Sequence, residues 1–130
     1  ALPAPPPAEP AVRVLVVDDD APIRLFLRNV LEEHGCSVTE AAEGRTAMSM
    51  LKQSPFDAMV TDLVMPDQEG IETIRAARKD FPRLPIVAIS GAFQGQFLKM
   101  AERLGADAVL QKPIRPEDLV RTLNGLLKKN

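Results

Sequence analysis

Five short apolar runs alternate with segments of helical spacing, and this alternation is the strongest constraint on the fold. The first run, VRVLVV at residues 12–17, is rich in β-branched residues and leads directly into three aspartates. Such a run is typical of a strand that is buried on both faces of a parallel sheet. We predict five strands, at Val12 to Val17, Ser37 to Ala41, Ala58 to Thr61, Leu84 to Ile89 and Ala108 to Gln111.

After each predicted strand, apolar residues recur at the three- and four-residue intervals of a helix face. The first predicted helix has Asp20 as its N-cap and Pro22 in its first turn, and it ends at His34 and Gly35. Its apolar stripe consists of Ile23, Phe26, Leu27, Val30 and Leu31. The other helices are predicted at about Arg45 to Gln53, Ile71 to Lys79, Phe93 to Leu104 and Leu119 to Leu127.

Five strand–helix units in 130 residues are too few for an eight-unit barrel. The pattern therefore predicts an α/β fold with an open, doubly wound parallel sheet and helices on both faces. We expect one domain over residues 11–130. Residues 1–10 hold five of the twelve prolines and a single charge, so we interpret them as a Pro-rich linker or tail.

Charge and composition exclude several classes of partner. The net charge is −2 with both signs interspersed, which argues against direct binding of nucleic acid. No apolar run approaches the ~20 residues that span a membrane, and residues 1–10 do not have the pattern of a signal peptide. Cys36 is the single cysteine and is interpreted as a small core residue. We expect a cytoplasmic protein.

Polar residues follow four of the predicted strands, at the edge where reactive groups of a doubly wound sheet collect. Asp18 and Asp19 follow the first strand, Asp62 the third, Ser90 the fourth and Lys112 the fifth. Carboxylates that converge repel by about 4 kcal/mol per pair at ~4 Å and an effective dielectric constant of about 20. A divalent cation, Mg²⁺ or alternatively Mn²⁺, offsets this repulsion. The set predicts phosphoryl transfer to a carboxylate.

Four segments, VVDDD, TDLVMPDQEG, AISGA and LQKPI, stand in this order at the ends of the predicted strands. With these segments the chain resembles the receiver domains of response regulators, the CheY-like modules of two-component signalling. The resemblance covers nearly all of residues 12–127. It implies a flavodoxin-like (βα)5 fold in which the five parallel strands take the order 2-1-3-4-5.

The resemblance also implies how the chemistry is divided. Asp62 is expected to be the phosphoacceptor, and Asp18 and Asp19 are expected to hold Mg²⁺ together with Asp62 and the backbone carbonyl of Val64. The phosphoryl donor is expected to be the phosphohistidine of a histidine kinase or of a histidine phosphotransfer protein. Phosphorylation then switches contacts with an output partner of unknown identity, and a phosphorylation-dependent homodimer is a possible assembly.

Further roles follow from the same resemblance. Ser90 is expected to be the switch hydroxyl, and Lys112 is expected to pair with the phosphate. Pro66 and Gly70 match the loop after the acceptor, and the Lys112–Pro113 bond is expected to be cis. The domain is not expected to be a turnover enzyme, since it catalyses only its own phosphorylation and dephosphorylation.

Three residues depart from the pattern of the family or limit the chemistry. Val109 stands three residues before Lys112, where an aromatic residue is common, so the aromatic rotamer switch is not expected here. Val64 and Ala92 are apolar at positions that border the phosphoryl group in such receivers. Neither side chain can orient an attacking water, so we predict slow self-dephosphorylation.

Several alternatives remain at this point. A phosphatase of the haloacid-dehalogenase type needs a second acid two residues after the nucleophile, where this chain has Val64. A flavodoxin-like module needs a loop that accepts a flavin phosphate, which the carboxylates of residues 18–20 would repel. Those three aspartates are also compatible with simple helix capping. Within the receiver family, the alternatives are the C-terminal receiver of a hybrid histidine kinase and a degenerate docking domain.

Overall fold

In the computed structural model, which describes residues 11–63, 69–91, 99 and 102–128, five parallel strands form one sheet. The strands are β1 (Arg13–Val17), β2 (Ser37–Ala41), β3 (Ala58–Asp62), β4 (Ile86–Ser90) and β5 (Ala108–Gln111). Their order in space is β2-β1-β3-β4-β5. The predicted fold class and strand order are therefore confirmed.

Helices lie on both faces of the sheet. They are α1 (Ala21–Glu33), α2 (Gly44–Gln53), α3 (Glu69–Asp80) and a C-terminal helix (Pro116–Lys128). Lys99 and residues 102–104 are also helical, whereas Phe93, Phe97 and Met100 of that predicted helix lie outside the described residues. Within the described part of the chain, none of the helices has both the length and the apolar character that a membrane span requires.

Two apolar layers enclose the sheet, because successive side chains of a strand point to opposite faces. In β1, Leu15 and Val17 join the layer that packs under α2 and α3, and Val14 and Val16 join the layer under α1 and the C-terminal helix. All four side chains are fully buried. The central strands are thereby fixed from both sides, which holds their carboxyl ends at one edge of the sheet.

Two details of α1 differ from the sequence-based expectation. Asp20 is the N-cap residue in extended conformation, but its side chain makes no capping hydrogen bond. Instead its N–H donates to Asp18 Oδ1 at 2.9 Å, and its carbonyl accepts from the N–H of Arg24. Phe26 was predicted in the buried stripe, yet it is 39% exposed because it lies at the margin of the face formed by Leu27, Val30 and Leu31.

Strand β4 begins at Ile86, two residues after the predicted start. Pro85 has no N–H to donate to a neighbouring strand, although its carbonyl accepts from the N–H of Met59. The carboxylate of Asp107 then receives the N–H of Ile86 at 2.8 Å. The side chain of Asp107 thus takes part in the first hydrogen bond of the strand.

Candidate functional site

Three carboxylates meet at the carboxyl ends of β1 and β3. Val17 pairs with Thr61 across these neighbouring strands, so the residues that follow, Asp18 and Asp62, reach the same edge of the sheet. Asp18, Asp19 and Asp62 each offer an oxygen atom, and these atoms all lie within 4.8 Å of one another. The side chains of Asp18 and Asp62 are only 1% and 6% exposed, whereas Asp19 is exposed.

Lys112 brings a positive charge to this cluster from the end of β5. Its Nζ lies 3.4 Å from Asp62 Oδ2 and 3.7 Å from Asp18 Oδ2. The backbone N–H of Lys112 donates to the carbonyl of Ser90 at 2.8 Å, and the Lys112–Pro113 bond is cis, as predicted. The ends of β4 and β5 are therefore joined directly beside the acidic cluster.

The charge balance of the cluster is unfavourable for ionised carboxylates. Burial raises the pKa of Asp18 from 3.8 to about 6, and the charges of Asp62 and Asp19 act in the same direction. The N–H of Asp20 and the ammonium of Lys112 lower this pKa, but they do not outweigh burial. The ammonium of Lys112 thus compensates the burial of Asp18 only in part.

The donor set fits a hard divalent cation. Among the described residues, Asp18 Oδ2 is buried without a hydrogen-bond partner, although Lys112 Nζ lies nearby. Carboxylate oxygens of this kind are preferred ligands of Mg²⁺ and Mn²⁺. Val64, the predicted backbone ligand, lies outside the described residues.

Ser90 is the last residue of β4 and is completely buried. Its Oγ has no hydrogen-bond partner within the part of the chain that the structure describes. Ser90 pairs with Gln111, the residue before Lys112, so the backbones of Ser90 and Lys112 lie next to each other. A buried hydroxyl without a partner is uncommon and retains an unused capacity to donate a hydrogen bond.

Gly70 packs tightly beneath the acidic edge. A Cβ atom at this position would collide with the backbone carbonyl oxygens of Asp62 and Leu63. The first turn of α3 therefore lies directly against the backbone that carries Asp62. Gly70 was predicted only as part of the loop pattern after the acceptor, and this close contact is the steric reason for a glycine there.

Arg24, which was not among the residues predicted from the sequence, contacts the backbone of the acidic cluster. Its Nη1 donates to the carbonyl oxygen of Asp18 at 2.6 Å, and its Nε donates to Glu40 Oε1 at 3.2 Å. Glu40 offered the available signal, because a carboxylate within a predicted strand needs a partner wherever it is partly shielded from water, even at the edge of the sheet. Arg28 also binds this carboxylate, from the next turn of α1.

Val109, at the position where the family often has an aromatic residue, is half-buried in β5. It packs against the apolar layer under α2 and α3. Ala92, the other apolar position considered in the sequence, lies outside the described residues. The predicted absence of an aromatic switch therefore stays a prediction.

Comparison with known proteins gives a consistent family. Residues 14–124 match the model of the response regulator receiver domain. The chain is 38% identical over 116 residues to the response regulator receiver protein CpdR of Brucella abortus, across 88% of this chain and 96% of CpdR. It is 36% identical over 118 residues to the response regulator MprA of Mycolicibacterium vanbaalenii, across 91% of this chain. It spans 51% of the length of MprA.

Solved structures give the same result. A CheY-like response regulator receiver domain protein from Methanospirillum hungatei superposes with a TM-score of 0.86 and 28% identity. The match covers 92% of this chain and 96% of that protein. The similarity thus extends over the sheet and the helices on both of its faces.

Proposed function

The chain belongs to the response regulator receiver family of two-component signalling, and we propose that Asp62 is its phosphoacceptor. The observation that carries the proposal is the position of Lys112 Nζ, 3.4 Å from Asp62 and 3.7 Å from Asp18. A partly buried ammonium beside a buried carboxylate attracts an anionic phosphoryl group to Asp62.

In the proposed reaction, a carboxylate oxygen of Asp62 attacks the phosphorus of a phosphohistidine on a histidine kinase or a histidine phosphotransfer protein. The phosphorus–nitrogen bond breaks, and an acyl phosphate forms on Asp62. Lys112 then exchanges its contact with the Asp62 carboxylate for one with a phosphoryl oxygen. The buried hydroxyl of Ser90 donates to another phosphoryl oxygen, which gives this group the partner it otherwise does not have among the described residues.

We assign the acidic cluster to Mg²⁺, with Mn²⁺ as a substitute. Asp18, Asp19 and Asp62 would hold the ion, and the carbonyl of Val64 is the fourth proposed protein ligand. The buried Oδ2 of Asp18 and the all-oxygen donor set support this assignment. A bound cation supplies charge neutralisation as negative charge gathers around the transferred phosphoryl group.

We also propose the boundaries of the domain, its location in the cell and what reads its phosphorylated surface. Residues 11–130 form the receiver, and residues 1–10 form a Pro-rich linker or tail. The domain acts as a cytoplasmic signalling module that is phosphorylated once per cycle and does not turn over a substrate. An output partner, or a second copy of the chain, reads the phosphorylated surface.

Incubation with a small-molecule phosphodonor and Mg²⁺, followed by intact mass analysis, tests the central assignment. The parent protein should gain one phosphoryl group, and this gain should be lost in Asp62→Asn and on removal of the metal by a chelator. Asp107→Asn is the matched control, because Asp107 immediately precedes β5, at the opposite end of that strand from Lys112, and is not one of the three clustered acids. Phosphorylation that survives Asp62→Asn would overturn the proposal.

A further inference from the structure

The guanidinium of Arg24 links the acidic edge of the sheet to the neighbouring strand β2. Its Nη1 donates to the backbone carbonyl of Asp18 at 2.6 Å, and its Nε donates to Glu40 Oε1 at 3.2 Å. The Arg24 side chain is only 18% exposed. Its two contacts use separate nitrogen atoms of one rigid group, so the distance between Asp18 and Glu40 is fixed by the fork of the guanidinium.

The backbone of Asp18 is held on both sides. Its N–H donates to the carbonyl of Ala41 at 3.1 Å, and its carbonyl accepts from Arg24. The carboxylate is oriented by the N–H of Asp20, which donates to Oδ1. These three bonds direct Oδ2 toward Lys112 and the other carboxylates.

From these contacts we infer that Arg24 is a positioning residue for the metal site. It holds the Asp18 peptide so that Oδ2 is presented to a divalent cation, and Glu40 anchors the guanidinium in turn. This inference rests on the proposed function, since it assumes that the acidic cluster binds Mg²⁺ or Mn²⁺. Partners that orient a metal ligand from outside the coordination sphere commonly change metal affinity by 10–100-fold when they are replaced.

Arg28 provides a matched control on the same helix. Its Nη1 binds the other oxygen of Glu40 at 2.8 Å, and its Nε binds Glu32 at 3.2 Å. Arg24→Gln and Arg28→Gln therefore each remove one positive charge from the same carboxylate, but only Arg24→Gln removes the bond to Asp18. By charge alone, either substitution would strengthen cation binding.

The experiment measures Mn²⁺ affinity by electron paramagnetic resonance and Mg²⁺ affinity by competition. We expect Arg24→Gln to weaken binding about tenfold, while Arg28→Gln binds as tightly as the parent or more tightly. Arg24→Lys restores the charge but has one nitrogen for two acceptors, so its binding should stay weaker than that of the parent. Phosphorylation of Arg24→Gln by a small phosphodonor should recover the parental rate at saturating Mg²⁺.

Three results would overturn the inference: equal affinities in the two glutamine variants, parental affinity in Arg24→Lys, or a rate in Arg24→Gln that saturating Mg²⁺ does not restore. The last would indicate general damage to the fold, which urea unfolding followed by circular dichroism reports independently. If the parent protein itself does not bind either ion, the proposed metal site fails instead.

Discussion

Gly70 packs so closely against the backbone carbonyl of Asp62 that even one additional methyl group would collide with it. The contact joins the first turn of α3 to the residue that we assign as phosphoacceptor. The alanine variant Gly70→Ala should therefore destabilise the protein by about 1–3 kcal/mol, the usual range for overpacking a filled interior. It should also slow phosphorylation of Asp62, because relief of the clash displaces the carboxylate.

Gly125→Ala is the control for this substitution. Gly125 lies inside the C-terminal helix, and a Cβ built there meets no described atom within 4 Å apart from the backbone of its own helix. An exposed helical glycine replaced by alanine stabilises by about 0.5–1 kcal/mol. The midpoint of urea unfolding should thus fall in Gly70→Ala and rise in Gly125→Ala. A Gly70→Ala protein as stable as the parent would contradict the packing argument.

The raised pKa of Asp18 predicts an unusual pH dependence of stability without metal. The folded state holds the proton up to about pH 6, whereas the unfolded chain releases it near 3.8. The contribution of Asp18 to the free energy of unfolding is therefore fully present below pH 4 and is lost as the pH rises through 6. At pH 7.5 the metal-free Asp18→Asn protein should exceed the parent in stability by about 2–3 kcal/mol.

The comparison of Asp18→Asn with the parent isolates Asp18 from carboxylates with lowered pKa, such as Glu40 beside Arg28, which act in the opposite direction. Chemical denaturation at a series of pH values measures the difference. Plotted against pH, the free energies of unfolding of the two proteins should become equal near pH 4. At pH 7.5, saturating Mg²⁺ should restore the stability of the parent. Parallel curves across the range would contradict the assignment.

Ser90→Ala should separate stability from signalling. The buried hydroxyl has no partner among the described residues, so its removal should leave the unphosphorylated protein as stable or more stable by up to about 1 kcal/mol. Thr61→Val is the contrast, because the Thr61 hydroxyl donates to the carbonyl of Asp62 at 3.2 Å. Loss of this hydrogen bond in Thr61→Val should lower the free energy of unfolding by about 1 kcal/mol.

Phosphorylated Ser90→Ala should still carry its phosphoryl group on Asp62. Its amide spectrum along β4 and β5 should, however, change less on phosphorylation than that of the parent. Nuclear magnetic resonance with and without phosphodonor makes this comparison. An undiminished response would remove Ser90 from the proposed switch.

Removal of the ammonium of Lys112 should expose the repulsion between the carboxylates. Lys112→Met removes the ammonium that lies 3.4 Å from Asp62 and 3.7 Å from Asp18, so the free energy of unfolding of the metal-free protein should fall by about 1–3 kcal/mol at pH 7.5. Mg²⁺ should bind this variant more tightly, while transfer from a phosphodonor slows. Lys79→Met, in the last turn of α3, is the control for a lost lysine charge. Equal Mg²⁺ affinity in Lys112→Met and the parent would contradict this account.

The apolar residue at position 64 predicts a long-lived phosphoaspartate. Valine cannot hold an attacking water, whereas asparagine can donate and accept hydrogen bonds. The parent should therefore lose its phosphoryl group more slowly than Val64→Asn, as followed by intact mass after removal of the phosphodonor. A Val64→Leu variant, which stays apolar, should keep the parental lifetime.

Much of the fold was predictable because the apolar, β-branched residues of a strand indicate that the strand is buried. The run VRVLVV identified β1 from composition alone, and Asp62 stood out as a charge at the end of an otherwise apolar strand. The contacts of Arg24 were not predictable, since they depend on how α1 is rotated over β2. The same rotation decides that Phe26 lies at the margin of the apolar stripe, which three-residue spacing does not resolve.

The pairing of β1 with β3 also shapes how the domain folds. Val17 and Thr61 become neighbours only after the chain has closed a long crossover that contains all of β2 and α2. The carboxylates beyond them cannot meet, and so cannot repel, before that closure, which we expect to come late in folding because loop-closure entropy opposes it. Changes at these acids should thus alter mainly the rate of unfolding, and a bound cation should prolong the lifetime of the native state more than it hastens its formation.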